Sequence, residues 1–534
     1  MKIRSDILRI YQSLHTWVGI GAGMLLFIGF FAGALTMFKQ PLDRWVSTPE
    51  QALRPLANGQ LDALVSATLA GYPAARQEFT LHLTRHENVA APISWSAGEG
   101  GRELDLSAKR WQATLDESGK LAVREQLPSL LAQLIDMLHR TAGIPGMLGD
   151  EYLGGYLMGV AGVMYFLALV SGVILLLPTL VKDFFALRPG KNRKRFWLDA
   201  HNVLGIASLP FHIVISLTVI VFAFHDQFYD SLAKVVYREQ PMFGPRPAPG
   251  SPPHAIKDML PATTLIDKVQ RAAPDFLVTE LLFMGLETPR PMIRAAVVNP
   301  RHLTRGAESG FVMIHPYSGK VDTNMLPGEQ SRWNGNVAPF FALHFGSFGG
   351  NMMRWVYFFL GLSGAFLFYS GNLLWVEKRR KNQGRLPAPV SQTRTTMLMA
   401  AATVGVCLGS MAGVGFTIAA GKWFAAAAGN INSTYLVVYY TVFLGALAWS
   451  FWRGAARASV HLLALCALAA LAIPLTSALA ALLPALGWWA HGSAATLGVD
   501  LAALAAALLF AYAARRTARR VAHGPVDSVW SAAA

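Results

Sequence analysis

The chain alternates between long apolar runs and polar stretches, and the length of the runs points to a bilayer as the solvent. Runs able to span about 30 Å of hydrocarbon, roughly 20 residues each, extend approximately over 14–38, 153–178, 200–224, 353–376, 397–420, 433–452, 459–483 and 493–514. They predict a polytopic α-helical membrane protein of about eight transmembrane helices. Basic residues gather before the first run (Lys2, Arg4, Arg9), after the second (Lys182, Arg188, Lys191, Arg193, Lys194, Arg195) and after the fourth (Lys378, Arg379, Arg380, Lys381, Arg385). They recur after the sixth (Arg453, Arg457) and the eighth (Arg515, Arg516, Arg519, Arg520). The positive-inside rule then places both termini in the cytoplasm. The first run is too long for a signal-peptide core, and Lys39-Gln40-Pro41 follows it without a small-residue cleavage site, so it is expected to be retained.

The resulting layout is TM1 over 1–38, an external insert over 39–152, TM2, a basic loop and TM3 over 153–224, and a second external insert over 225–352. TM4 follows over 353–376, a cytoplasmic loop over 377–396, an appended bundle TM5–TM8 over 397–514 and a cytoplasmic tail over 515–534. Composition agrees: of 534 residues, 53% are hydrophobic and only 14% charged, too apolar for a soluble protein. The formal charge of +15 lies in clusters beside the apolar runs, where contact with membrane lipids accounts for it, so no nucleic-acid partner is expected. Cys407 and Cys466 both sit inside apolar runs, which leaves no disulfide framework or thiol-redox motif. Redox work would need a borrowed cofactor.

The first four runs contain a duplication. Leu14-His15 with Gly19-Ile20 opens the first run, and Ala200-His201 with Gly205-Ile206 opens the third. The second and fourth are preceded by Leu138-His139 and Leu343-His344, and each then holds a Ser-Gly pair, Ser171-Gly172 and Ser370-Gly371. The inserts repeat too, each reading as a helix (near 61–70 and 262–272), short alternating strands and a Ser-Gly-Lys turn at 118–120 and 318–320. Two α+β modules are expected. The runs after residue 397 match neither half and look almost free of polar groups.

An ionisable side chain in or beside a span needs a partner or a cofactor, which directs attention to His15, His139, His201, His212 and His344. On one straight helix, His201 and His212 would share a face about 16 Å apart. That spacing suits two haems stacked across a membrane, with Gly19, Gly21, Gly23, Gly29 and Gly33 leaving room for a macrocycle. His15 and His201 would hold the inner haem, and His212 with His344 or His139 the outer one. The competing assignment is that a lone histidine at a helix end simply hydrogen-bonds a carbonyl or a headgroup. His225, beside Asp226, reads as interfacial, His82 and His86 as solvated, and His461 as lacking a partner. Trp95, Trp111, Trp333, Phe340 and Phe341 are candidates to line a chelate site or shorten an electron path, although such residues mostly anchor bilayer edges.

These segments resemble the PepSY-associated transmembrane family, whose members include diheme ferric-siderophore reductases. The resemblance rests on Leu14-His15-Thr16-Trp17-Val18-Gly19, Leu138-His139-Arg140, Leu343-His344-Phe345-Gly346, and above all Trp197-Leu198-Asp199-Ala200-His201-Asn202-Val203 with Leu209-Pro210-Phe211-His212. It covers roughly residues 1 to 385. It implies a PepSY-type periplasmic insert in each half, two b-type haems, and one-electron reduction of Fe(III) in a siderophore at the bacterial inner membrane. Carried over, His15, His201, His212 and His344 form the axial set, with His139 a competitor. Some members carry a His-Lys pair near the cytoplasmic end of span two, where this chain has Leu175-Leu176-Leu177-Pro178.

With no Gly-x-Gly-x-x-Gly after a strand, the electron donor is expected to be a quinol or a cytosolic protein. Two other classes compete: a siderophore or iron transporter, against which the scarcity of charged residues in the spans counts, and a non-enzymatic membrane sensor.

Overall fold

The structure is a computed structural model that describes residues 4–48, 56, 59–84, 91–96, 104–184, 186–188, 193–238, 252–383, 392–524 and 528–531. Helix α1 (Ser5–Thr36) leads into α2 (Lys39–Val46). Then come α3 (Leu61–Gly71) and strands β1 (Glu78–His82), β2 (Ile93–Ser96), β3 (Arg110–Leu115) and β4 (Leu121–Gln126). After α4 (Leu131–Thr141) and a small hairpin of β5 (Met147–Leu148) and β6 (Glu151–Tyr152) run α5 (Leu153–Leu176), α6 (Leu180–Asp183), α7 (Arg193–Ala207), α8 (Leu209–Ala223) and α9 (His225–Leu232). The second insert supplies α10 (Ala262–Ala272), β7 (Leu277–Met284), β8 (Met292–Val298), β9 (Gly310–Ile314), β10 (Val321–Asp322) and α11 (Arg332–Phe345). The chain then runs through α12 (Gly350–Gln383), α13 (Arg394–Trp423), α14 (Ile431–Leu482) and α15 (Ala494–His523).

Two compact units result: a helical one of Met1–Val46, Ser129–Ala223 and Val356–Ala534, and a sheet unit of Ser47–Pro128 and Phe224–Trp355. Helix α4 and its His139 group with the helices, although the sequence assigned them to the first insert. Among the described residues, six helices are long and apolar enough to cross a membrane (α1, α5, α12, α13, α14, α15). The α7/α8 pair passes the same test as one span bent by 70°. The protein is a multi-pass membrane protein. The bend corrects the expectation of one straight helix carrying His201 and His212. Pro210, in the first turn of α8, has no N–H to donate and its ring crowds the carbonyl four residues back, so the helix breaks at Ser208. Helix α14, at 52 residues, would be about 78 Å long if straight. It is interrupted at Gly454, whose φ of 72° and ψ of 158° lie outside the helical region.

Small residues set the helix packing. A Cβ on Gly21 or Gly29 of α1 would stand 2.6 Å from the methyl of Met164 or Met158 on α5, and one on Gly364 of α12 would stand 2.3 Å from the Phe30 ring. On α13, Gly405, Gly409 and Gly413 give the same close approach to Leu447, Ala446 and Tyr439 of α14.

The two inserts do not form separate sheets. They share one eight-stranded sheet in the order β10-β9-β8-β7-β1-β2-β3-β4. Each insert contributes four strands, and the first strand of each, β1 and β7, pair antiparallel at the seam with Phe79 opposite Phe283 and Leu81 opposite Leu281. The two phenyl rings stack at 4.3 Å and are essentially inaccessible. Leu64, Val65 and Leu69 of α3 and Leu265 and Val269 of α10 complete one shared core, and Asp62 ties the helices by accepting from the backbone N–H and hydroxyl of Thr263. A single core explains the single sheet, because neither insert alone buries its central strand.

The two Ser-Gly-Lys turns differ in their acceptor. Asp116 Oδ1 accepts from the backbone N–H groups of Ser118 and Lys120. At the matching turn, His315 Nδ1 accepts from those of Tyr317 and Ser318. Partial burial, and then the His254 ring 5.5 Å away, lower the His315 pKa from its usual 6.5.

Two outcomes follow. Phe283→Ala is expected to destabilise the sheet unit by about 3–5 kcal/mol, as for other buried aromatic truncations, read as a lower thermal midpoint of the purified full chain. His315 holds its turn only when neutral, so its contribution is complete above pH 6.5 and is lost as pH falls below that value. The thermal midpoint should therefore drop between pH 7 and 5. His315→Asn, which keeps an acceptor that does not titrate, should flatten that drop.

Candidate functional site

The helical unit gathers four of the five singled-out histidines, His15, His139, His201 and His212, against its core helices. His15, on α1, sends Nδ1 to the carbonyl of Ala168 on α5 at 2.8 Å, with Ser171 Oγ 3.4 Å away. His201, on α7, sends Nδ1 to Ser370 Oγ on α12 at 2.9 Å. The two rings lie 6.4 Å apart between centroids, with planes at 84°. The repeat-related pair is thus brought together, each ring seated on the Ser-Gly pair of its own half.

His212, on α8, is fully buried. Its Nδ1 meets the hydroxyl of Tyr165 on α5 at 2.5 Å, while its Nε2 is buried without a hydrogen-bond partner. Phe30 and Phe211 pack on the ring at 5.7 and 5.4 Å, and Phe368 packs on both Phe30 and Tyr165. Phe30 lies 15 residues along α1 from His15, a rise of about 22 Å, so His212 lies at a second level. His139 belongs near that level: its Nδ1 bonds to the carbonyl of Gly29 at 2.8 Å, and its ring fills the notch over Gly33. His344 lies on α11 of the sheet unit, its ring edge-on to Phe345.

The glycines of α1 do not hold open space, as the sequence suggested. Gly21, Gly23, Gly29 and Gly33 are filled by Met164, Asn372, Met158 and His139, and only Gly19 of the five has nothing within 4 Å of a built Cβ. Close helix packing uses the room the small residues provide.

Other histidines are engaged. His82 bonds Ser94 Oγ and pairs with Glu280 at 3.5 Å; His225 lies 3.1 Å from Asp226. His461, expected to be unpartnered, accepts from Trp449 Nε1 at 3.1 Å. His86 lies outside the described residues. Of the external aromatics, Trp95 and Trp111 stack within 9° of parallel beside Tyr72, Phe341 lies under the Arg305 guanidinium, and Trp333 and Phe340 are exposed.

Three features escaped the sequence reading. Tyr165 was legible as the one hydroxyl-bearing aromatic in the middle of its span. Asn372, 3% exposed with Nδ2 unpartnered, was legible as an amide next to a Ser-Gly pair. The third is a buried ionisable cluster in the appended bundle, which looked nearly free of polar groups. Lys422 Nζ lies 3.7 Å over the Trp45 ring and 3.4 Å from Ser477 Oγ, and Asp500 accepts from Trp45 Nε1 at 2.9 Å and from Ser477 at 3.0 Å. Its members are spread over α2, α13, α14 and α15, and no local pattern marks them.

The His15 and His201 rings, 6.4 Å apart between centroids, are near enough for one metal ion to reach both. A buried orphan nitrogen costs about 1–3 kcal/mol unless something binds it, so His212 Nε2 also fits a ligand role. Imidazole is a haem-iron ligand, and these side chains fit that donor set. Among the described residues no three His, Cys, Asp or Glu side chains cluster as a metal site.

Fold and site together define a multi-pass helical membrane protein with histidines packed against its core helices at two levels. A family model described as the PepSY-associated TM region matches residues 12–378, and the chain belongs to that family. No curated protein matches the sequence.

Gly33→Ala would drive a methyl to within 2.6 Å of His139 Nδ1. It is expected to displace the ring from the Gly29 carbonyl and cost about 1–3 kcal/mol. Gly19→Ala should be neutral or gain up to about 1 kcal/mol in helix propensity. Thermal unfolding of the two variants in detergent compares them directly.

Proposed function

We propose that this protein is a haem-dependent oxidoreductase of the bacterial inner membrane, carrying electrons across the bilayer to a periplasmic Fe(III)-siderophore and releasing Fe(II). The observation that carries this reading is the arrangement of imidazoles at two levels, His15 with His201 at one and His212 with an orphaned Nε2 at the other. A porphyrin brings four nitrogens of its own, so two side chains suffice to hold its iron. A haem b at each level would supply one-electron transfer through its iron.

In this reading His15 and His201 are the ligands of the inner group, and His212 with His344 or His139 those of the outer. The carbonyl of Ala168 and the hydroxyls of Ser370 and Tyr165 orient the three rings. Phe30, Phe211 and Phe368 keep water away from His212. Each Fe(III) takes up one electron from a quinol or a cytosolic donor, and hard oxygen chelators hold the resulting Fe(II) less firmly. Membrane topology supports the direction. Six apolar helices and the bent α7/α8 pair can cross a bilayer among the described residues, and in this reading α14 passes twice, once on either side of Gly454, to give eight crossings. Charge alternation then puts both termini in the cytoplasm and both PepSY-type inserts outside.

One observation favours a second reading. The buried Lys422–Asp500 cluster is the kind of ionisable group that marks an ion pathway in a bundle, as a transporter of iron or its chelate would use.

The test is an optical spectrum. The purified full chain should show a dithionite-reducible b-type signal with two haems per chain. His15→Ala and His201→Ala should each lose the same component, and His212→Ala the other. Comparing His139→Ala with His344→Ala assigns the remaining ligand. A wild-type chain with no haem ends the redox reading and leaves the transporter.

A further inference from the structure

Ser171-Gly172 and Ser370-Gly371 are equivalent by the duplication, and each lies against the histidine that opens its own half. A Cβ on Gly172 would stand 3.1 Å from His15 Cε1, and one on Gly371 would stand 3.7 Å from His201 Cε1, so each glycine gives its ring a flat seat. The hydrogen bonds fix the proton on the ring. A carbonyl can only accept, so the contact with Ala168 requires the proton of His15 to be on Nδ1. With the Ser370 hydroxyl donating to the carbonyl of Leu367 at 3.1 Å, its oxygen is left to accept from Nδ1 of His201 at 2.9 Å. In that arrangement both rings are Nδ1–H tautomers with Nε2 bearing the lone pair. The halves differ in one respect. Ser171 donates to the carbonyls of Leu167 and Ala168 and only flanks His15 at 3.4 Å, whereas Ser370 is the hydrogen-bond partner of His201 Nδ1.

We propose that the glycines of the two Ser-Gly pairs, Gly172 and Gly371, seat the inner histidines, and that Ser370 is a positioning residue whose hydroxyl holds the tautomer of His201 and so presents Nε2 to iron. The consequence for iron rests on the haem reading above; the tautomer does not. An imidazole that donates its second N–H is a more basic ligand, and removing such a partner typically weakens metal binding about 10–100-fold.

The experiment uses the full chain in detergent with Ser370→Ala, Ser370→Thr and Ser171→Ala. Nitrogen-15 NMR of the haem-free chain, with His201→Gln to assign the signal, should show His201 as the Nδ1–H tautomer, altered in Ser370→Ala and restored in Ser370→Thr. With haem, Ser370→Ala should release the inner group about 10–100-fold more readily and raise its midpoint potential, because a less basic ligand favours Fe(II). Ser370→Thr should restore both, and Ser171→Ala should match wild type because His15 keeps the Ala168 carbonyl. An Nε2–H tautomer in the wild type overturns the proposal, as does a Ser370→Ala chain with unchanged tautomer, or one that retains haem at an unchanged potential. Equal effects of Ser171→Ala and Ser370→Ala also overturn it. A chain with the Nδ1–H tautomer that binds no haem upholds the seat and refutes the redox reading instead.

Discussion

An imidazole placed among membrane helices has no water to bond, so each of its nitrogens must be satisfied by the protein or by something the protein binds. The helical unit answers this need one nitrogen at a time. A carbonyl of α5 takes Nδ1 of His15, a hydroxyl of α12 takes that of His201, a tyrosine takes that of His212, and a carbonyl of α1 takes that of His139. The choice of small residues on α1, α5 and α12 follows from it, because a ring can reach a backbone carbonyl only where the neighbouring position lacks a side chain. Gly33 beneath His139 and Gly172 beside His15 are two instances. Packing and polar satisfaction are the same problem here.

The duplication gives this chemistry a symmetric frame, and the details depart from symmetry where function would act. His15 and His201 occupy matching positions yet rest on unlike acceptors. His212 has no counterpart in the first half, where Leu26 stands seven residues after Gly19 as His212 does after Gly205. The appended bundle of α13, α14 and α15 matches neither half. Its Lys422–Trp45–Asp500 cluster joins three helices of the appended bundle to α2, so these helices are tied to the duplicated core by a polar contact as well as by apolar packing.

What could be read from the sequence was whatever is periodic or repeated. Span lengths, the His-x-x-x-Gly-Ile repeat and the insert helices at 61–71 and 262–272 follow from local pattern. So does the pairing of His15 with His201, since equivalent positions in a duplicated four-helix frame tend to face a common axis. What failed depended on one residue or on distant parts of the chain. Pro210 broke a span whose hydropathy is continuous, whereas the interruption of α14 at Gly454 falls where the sequence already separates two runs, 433–452 and 459–483. The glycines of α1 read as vacancies because their occupants, Met158, Met164 and Asn372, come from elsewhere. The shared sheet was invisible for a related reason: the alternation in β1 tells which face is buried but not that its partner lies in the other insert.

The seam between β1 and β7 has a consequence for biogenesis. About 200 residues separate the two strands, and ribosomes add roughly 5–20 residues per second. For about 10–40 s, then, the first insert exists with its central strand as a bare edge, offering Phe79 and Leu81 to any passing strand. Both polar segments must also come to lie on the same side of the membrane before either can mature. Faithful insertion of α7 and α8 thus becomes a checkpoint for a β-sheet, and a fault in a membrane helix would surface as aggregation of the domain it was meant to complete.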